Sequence, residues 1–241
     1  MCTVTIIPKG NHDFILTSNR DEAPHRASLA PKVYTINNTR LLFPKDELSG
    51  GTWLGVSEKK SMVCVLNGAF ELHKRKPSYR LSRGVVATDF LTSEDILATV
   101  KSYNLENIEP FTMVIVDWKI RLRFLELVWD GEKKHESELP LEPKIWSSST
   151  LYNSSMKLER LKWFEDFKKS NELNKEIILQ FHKTAGNEHK DYGVIMDRGF
   201  VKTTSITQVI KTSDSINMNY ENLQTELVTS TQFNFHQAVN E

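Results

Sequence analysis

The second residue of the chain is a cysteine, and its place directly behind Met1 raises a specific chemistry. Cysteine is small enough that an initiator methionine before it is normally removed, which would leave Cys2 with a free α-amino group. That amine has a reference pKa of about 7.7–8.0 and the thiol one of about 8.5. One residue would then carry a nucleophile and the base able to activate it. The alternative is an incidental cysteine, buried like other free cysteines. A second group of residues bears on the choice, the dense polar run "SNRDE" at 18–22. Within it Asn19 offers amide hydrogen bonds, and Asp21 offers a carboxylate to anchor or orient the amine. Arg20 offers positive charge to a thiolate or an anionic substrate. The competing reading of this run is a solvated turn with ordinary charges.

These residues need elements to bring them together. "TVTIIP" and "DFILTSN" are β-rich runs separated by the turn-like "KGNHD". A turn over Lys9–His12 pairs Ile6 with Ile15, Val4 with Thr17 and Cys2 with Asn19. Cross-strand partners share a face, so Cys2, Asn19 and Asp21 are expected on one side and Ser18, Arg20 and Glu22 on the other. A slip of one residue would reverse this. Further strands are expected at "GTWLGVS", "SMVCVLN", "FTMVIVD", "RLRFLELVWD", "KIWSS", "YGVIMDRG" and "TTSITQVI", with a hairpin turn at Asp130-Gly131. Helical patterns cover about 81–101, with a cap at Ser93–Asp95, and about 153–182, broken near Ser170-Asn171. In "MKLERLKWFEDF", Met156, Leu158, Leu161, Trp163, Phe164 and Phe167 form a broad apolar stripe. Two blocks of helices among antiparallel strands predict an α+β fold, an αββα four-layer sandwich. No linker, internal repeat or low-complexity segment interrupts it, so residues 1–241 are expected to form a single domain.

Totals narrow the function. The chain has 241 residues, 39% of them hydrophobic, with Lys+Arg and Asp+Glu both at 31. Zero formal charge argues against a dedicated nucleic-acid binder. Two cysteines cannot build a secreted disulfide framework, and Cys64, inside "MVCVL", reads as a packing residue. No signal peptide is expected at the start of the chain, and no apolar run reaches the ~20 residues of a membrane span. The expectation is a soluble, cytoplasmic protein whose partner is a small-molecule substrate or a hydrophobic ligand. Seven histidines show no paired metal spacing, so neither metal nor cofactor is expected. The basic run "HKRKPSYRLSRG" at 73–84 reads as a solvated loop, with phosphate binding as its alternative. "GGTWLG" is no phosphate loop, because no Gly-Lys-Ser/Thr follows.

"MCTV" at the start, "SNRDE", the "GGTWLGV" ending at Val56 and "VLN" at 65–67 together resemble the NRDE family, which includes the transport-and-Golgi-organisation proteins. "WSSSTLY" at 146–152 and "TTSITQV" at 203–209 are similar to its later blocks. That family in turn resembles the N-terminal nucleophile hydrolases of the choloylglycine hydrolase and penicillin V acylase branch, whose fold is the same sandwich. The resemblance implies Cys2 as nucleophile in amide or related acyl hydrolysis, Asn19, Arg20 and Asp21 around it, and Asn67 in the oxyanion hole. Asn67 has a plainer reading as a turn residue. Ser18 stands where the branch carries an arginine, Ser149 where it carries a second asparagine, and Lys202 is nearest to its late arginine. The alternative is a non-catalytic binding or trafficking protein of the same fold for a lipid, acyl-CoA or haem-type ligand.

Overall fold

The computed structural model describes residues 3–235, so Cys2 lies outside the described residues. The chain runs β1 (Thr3–Lys9), β2 (Asp13–Glu22), β3 (Ser28–Ile36), β4 (Thr39–Asp46), β5 (Leu54–Ser57) and β6 (Ser61–Asn67). Helices α1 (Arg83–Thr92) and α2 (Ile96–Ser102) follow, then β7 (Phe111–Asp117), β8 (Arg123–Trp129), β9 (Lys134–Leu139) and β10 (Lys144–Ser147). Helices α3 (Ser154–Ser170) and α4 (Lys175–Thr184) precede β11 (Lys202–Thr212), β12 (Ser215–Asn222) and β13 (Val228–Asn234). One sheet has the order β10-β1-β2-β11-β12-β13 and the other β3-β4-β5-β6-β7-β8-β9. Every pairing is antiparallel.

The period-2 alternation of the strands builds three apolar layers. Val4, Ile6, Phe14 and Leu16 meet Leu54, Met62, Cys64 and Val114 between the two sheets. The outer face of the second sheet packs Val63, Val65 and Met113 against Val86, Phe90 and Val100 of α1 and α2. On the outer face of the first sheet, Ile7 and Ile15 meet Phe164 of α3 and Ile178 and Phe181 of α4. The architecture is the αββα sandwich. Each helix begins at a side-chain cap, Ser82, Asp95, Asn153 and Asn174, which satisfies backbone N–H groups of the first turn.

Four sequence expectations change. The β1–β2 turn is shorter by one residue: Lys9 pairs with Asp13, and Gly10 takes φ +71° to close a three-residue loop. Ile6 therefore pairs with Leu16, Val4 with Ser18, and Asn19 with Thr3. "YGVIMDRG" is not a strand; its only pairing among the described residues is the bridge of Asp197 with Lys202. Gly186 and Gly193 fold this segment back tightly, and Val194 N–H bonds Ala185 O rather than a neighbouring strand. On α3 the buried positions are Arg160 and Phe164, while Leu158 and Leu161 are 66% and 42% exposed. Finally, β3, β4, β9, β12 and β13 lie where no strand was expected.

Candidate functional site

The two faces of β2 hold two different polar environments. Asn19 and Asp21 face the α3/α4 layer, and Ser18 and Arg20 face the second sheet. A bulge in the neighbouring strand, between Thr203 and Ser205, interrupts the β2–β11 ladder at this level. Such bulges re-aim side chains beside sites. Thr204 uses it to donate to Arg20 O at 3.1 Å and to accept from the Arg20 guanidinium at 3.2 Å.

On the helix side, Asn19 is consumed by α4. Its amide N donates to His182 O at 3.0 Å and Val194 O at 2.7 Å, and its Oδ1 accepts from His182 Nδ1 at 2.6 Å. Because Oδ1 can only accept, Nδ1 carries the proton, and Nε2 is left to accept from Thr5 Oγ1 at 2.7 Å. Burial pushes the His182 pKa down to about 3, helped by the positive charge of Arg160. The imidazole is neutral. Asp21 accepts from Tyr152 Oη at 2.6 Å and Thr203 Oγ1 at 2.7 Å. The Arg160 guanidinium lies 3.9 Å from the centre of the Tyr152 ring, with Arg198 at 5.6 Å. Arg160 also donates to Thr3 Oγ1 and to Tyr192 O. Thr3, Asn19, Asp21, Tyr152 and Arg160 are all buried. The first described residue of β1 thus sits in a dense polar cluster rather than at an ordinary exposed strand end.

Between the sheets the geometry differs. Ser18 Oγ donates to Thr3 O at 3.3 Å and lies 3.7 Å from Cys64 Sγ. Cys64 is fully buried, and burial pushes its thiol up to about 12. Arg20 crosses to the second sheet, donating to Asp46 at 2.7 Å and stacking 4.7 Å over Trp53. Arg26 reaches the same carboxylate at 2.9 Å. Burial works to raise the Asp46 pKa, but hydrogen bonds from Ser49 and Arg26 prevail and hold it below the ordinary value.

Arg20, Arg26, Asp46, Ser49 and Trp53 line a cavity of about 170 Å³ together with Asn67. Gly51 and Gly84 meet backbone to backbone at its wall, where a Cβ on Gly51 would come within 3.3 Å of Gly84. Asn67 ends β6, and its carbonyl accepts from Ser148 Oγ at 2.7 Å. Ser149 donates to Ala69 O and accepts from Lys157 Nζ at 2.6 Å. The block after β10 therefore lies beside Asn67, and Ser147 pairs with Thr3. Lys202 pairs with Glu22, the last residue of β2, next to the Thr203–Asp21 pair.

So Asn19 and Asp21 share one face, Arg20 and Asn67 share the cavity, and Cys2 lies outside the described residues. Arg160, Tyr152, His182 and Thr203 escaped the sequence reading. Arg160 left one signal, a charged residue four positions before Phe164 on the buried side of a helix. No helix of the described residues is long and apolar enough to cross a membrane.

Known proteins resemble this chain at two levels. By fold, it superposes on a Caenorhabditis elegans N-acylethanolamine-hydrolyzing acid amidase (NAAA) ortholog with a TM-score of 0.60 at 10% identity, over 87% of this chain and 92% of that one. A mutant conjugated bile acid hydrolase from Clostridium perfringens gives 0.58 at 9% identity, over 100% and 99%. Penicillin V acylase from Agrobacterium tumefaciens gives 0.56 at 11% identity, over 95% and 85%. At these identities the likeness is one of fold. By sequence, the Transport and Golgi organization protein 2 homolog of Bos taurus is 33% identical over 103 residues, 42% of this chain but only 36% of the bovine protein. The family model described as Transport and Golgi organisation 2 matches residues 1–234, nearly the whole chain. The chain belongs to the Transport and Golgi organisation 2 family.

Proposed function

We propose that this protein is an N-terminal cysteine hydrolase acting on an amide or related acyl bond of a small substrate. The observation that carries the reading is the buried polar cluster at the start of β1, one peptide bond from Cys2. Burying Thr3, Asp21, Tyr152 and Arg160 there costs desolvation that a plain strand end would avoid. The fold neighbours add support, since each is named for hydrolase or acylase activity.

In the proposed reaction Met1 is removed, and the Cys2 amine takes the thiol proton. The thiolate attacks the substrate carbonyl and forms a C–S bond, while the carbonyl electron pair moves onto oxygen. Asn67 holds that oxyanion with its amide. Collapse breaks the C–N bond as the ammonium returns its proton to the leaving amine. Water, deprotonated by the same amine, then cleaves the thioester and releases the acid. Asp21 anchors the N-terminal group, Asn19 positions β2 through α4, and Arg20 supplies charge in the cavity. Screening purified protein against amides and thioesters should find turnover that Cys2→Ala abolishes. Turnover surviving in Cys2→Ala would refute the assignment.

A second reading, a binding or trafficking protein for a lipid, acyl-CoA or haem-type ligand, is favoured by a different observation. Phe70, Leu158 and Leu161 are exposed along an apolar groove that also includes Trp146 and Val128. Ser18 and Ser149, in place of an arginine and an asparagine, favour it too. Saturable ligand binding without turnover of any substrate would select this reading.

A further inference from the structure

The cavity between the sheets holds more positive charge than the proposed hydrolysis, which calls on Arg20 alone, would use. Four arginines line it, Arg20, Arg26, Arg75 and Arg83. Two of the three carboxylates among them are shared. Asp46 serves both Arg20 and Arg26. Glu109 serves both Arg83, at 3.2 Å, and Arg75, at 3.6 Å. Glu22 reaches only Arg26, which Asp46 already holds. A guanidinium has five N–H donors in a fixed fork; Arg83 spends donors on Glu109 and on Pro110 O at 3.2 Å, which leaves others for a ligand. Burial lowers the Arg83 pKa; Glu109 opposes the shift and Arg75 adds to it.

Two further features converge on the same space. The cap and first turn of α1 contribute Ser82, Arg83 and Gly84 to the wall, so the positive end of a ten-residue helix opens there. Trp53, 8% exposed, lines the cavity too, and its indole Nε1–H has no acceptor among the described residues. A buried N–H without a partner is costly, and a ligand oxygen would relieve it.

We propose that this cavity is a binding site for the oxyanion group of a small ligand, a carboxylate or a phosphate, held by Arg83, Arg75, Trp53 and the first turn of α1. The proposal deepens the hydrolase reading, on which it rests only in taking this cavity, with Asn67 on its wall, as the substrate's. It gives the substrate an anionic group. Part of the basic run at 73–84 then belongs to a site rather than to a solvated loop.

The test is isothermal titration of the purified protein with inorganic phosphate and, separately, with acetate, against sodium chloride of matched ionic strength. Saturable binding of at least one oxyanion above the chloride control is expected, and which of the two binds identifies the group. Trp53→Phe, which keeps an aromatic side chain but loses the indole N–H, should weaken binding at least ~3-fold, the lower range for one hydrogen bond. Arg83→Gln should weaken it at least ~10-fold, as for a lost charge-assisted contact. Should Arg83→Gln fail to fold because Glu109 loses a partner, Trp53→Phe decides alone. No saturation beyond chloride, or unchanged affinity in the folded variants, overturns the proposal. Cys2→Ala should bind the oxyanion as well as the parent protein. Binding without any turnover would therefore retain this site while discarding the hydrolase.

Discussion

Cys64 is buried against Ser18 in the layer between the sheets, with its thiol pushed up to about 12. At pH 8 almost none of it is thiolate, and the apolar packing blocks access. An N-terminal cysteine with a neighbouring amine should behave oppositely. Brief iodoacetamide treatment of the folded protein at pH 8, followed by peptide mapping, should label Cys2 at least ~10-fold faster than Cys64, as thiolate fraction dictates. Equal labelling, or faster labelling of Cys64, contradicts an activated Cys2. At this scale the sequence was a good guide to Cys64 and to the alternation of Asn19 and Asp21 with Ser18 and Arg20, but the expected pairing of Cys2 with Asn19 fails, because Thr3 takes that place. It was a poor guide to partners. Gly10 in the left-handed region shortens the first hairpin loop, and one residue of slip moves the partner of Asn19 to Thr3. Nor could spacing reveal that the Asn19 amide is spent on His182 and Val194, because those contacts span more than 160 residues.

The strands that went unrecognised are mostly edges. β3 and β9 border one sheet and β13 the other. Edge strands expose a face and blunt pairing with charge or proline, as in "KHESEL" and Pro31 of β3, so the alternation that marks a strand is weak. Central strands such as "SMVCVLN" and "FTMVIVD" carry strong apolar runs and were legible. Helix α3 shows the same limit. Its apolar residues spread wider than the face it buries, and the buried face includes a charge. Arg160→Ala should therefore destabilise the protein by about 2–4 kcal/mol, from lost packing and an unpaired Thr3 hydroxyl. Leu158→Ser should stay within about 0.5 kcal/mol, as exposed positions do. Urea unfolding of both variants checks the assignment. A reversed ranking would mean that α3 presents its other face.

Across the whole molecule, one histidine couples the helix layer to the first sheet, since His182 joins α4 to Thr5 and Asn19. Its folded pKa, about 3, lies below the ordinary value of 6.5, so the unfolded chain takes up the proton first. The stability it contributes is complete above about pH 6.5 and is lost as pH falls from there toward about 3. His182→Gln should lower stability at pH 7 and flatten its decline between pH 6.5 and 4, measured by urea midpoints. An unchanged slope would mean that His182 is protonated in the folded protein. The αββα order was readable from the alternation of strand and helix blocks; the polar cement between layers was not, because buried polar residues look like surface in a sequence. That cement surrounds the start of β1, and the central claim is that it serves a nucleophile there. Intact-mass analysis after mixing the protein with a panel of short acyl thioesters tests this most directly. The account predicts protein lacking Met1 that gains the mass of one acyl group, mapped to Cys2 and absent in Cys2→Ala. Retained Met1, or acylation that maps elsewhere and persists in Cys2→Ala, would contradict it.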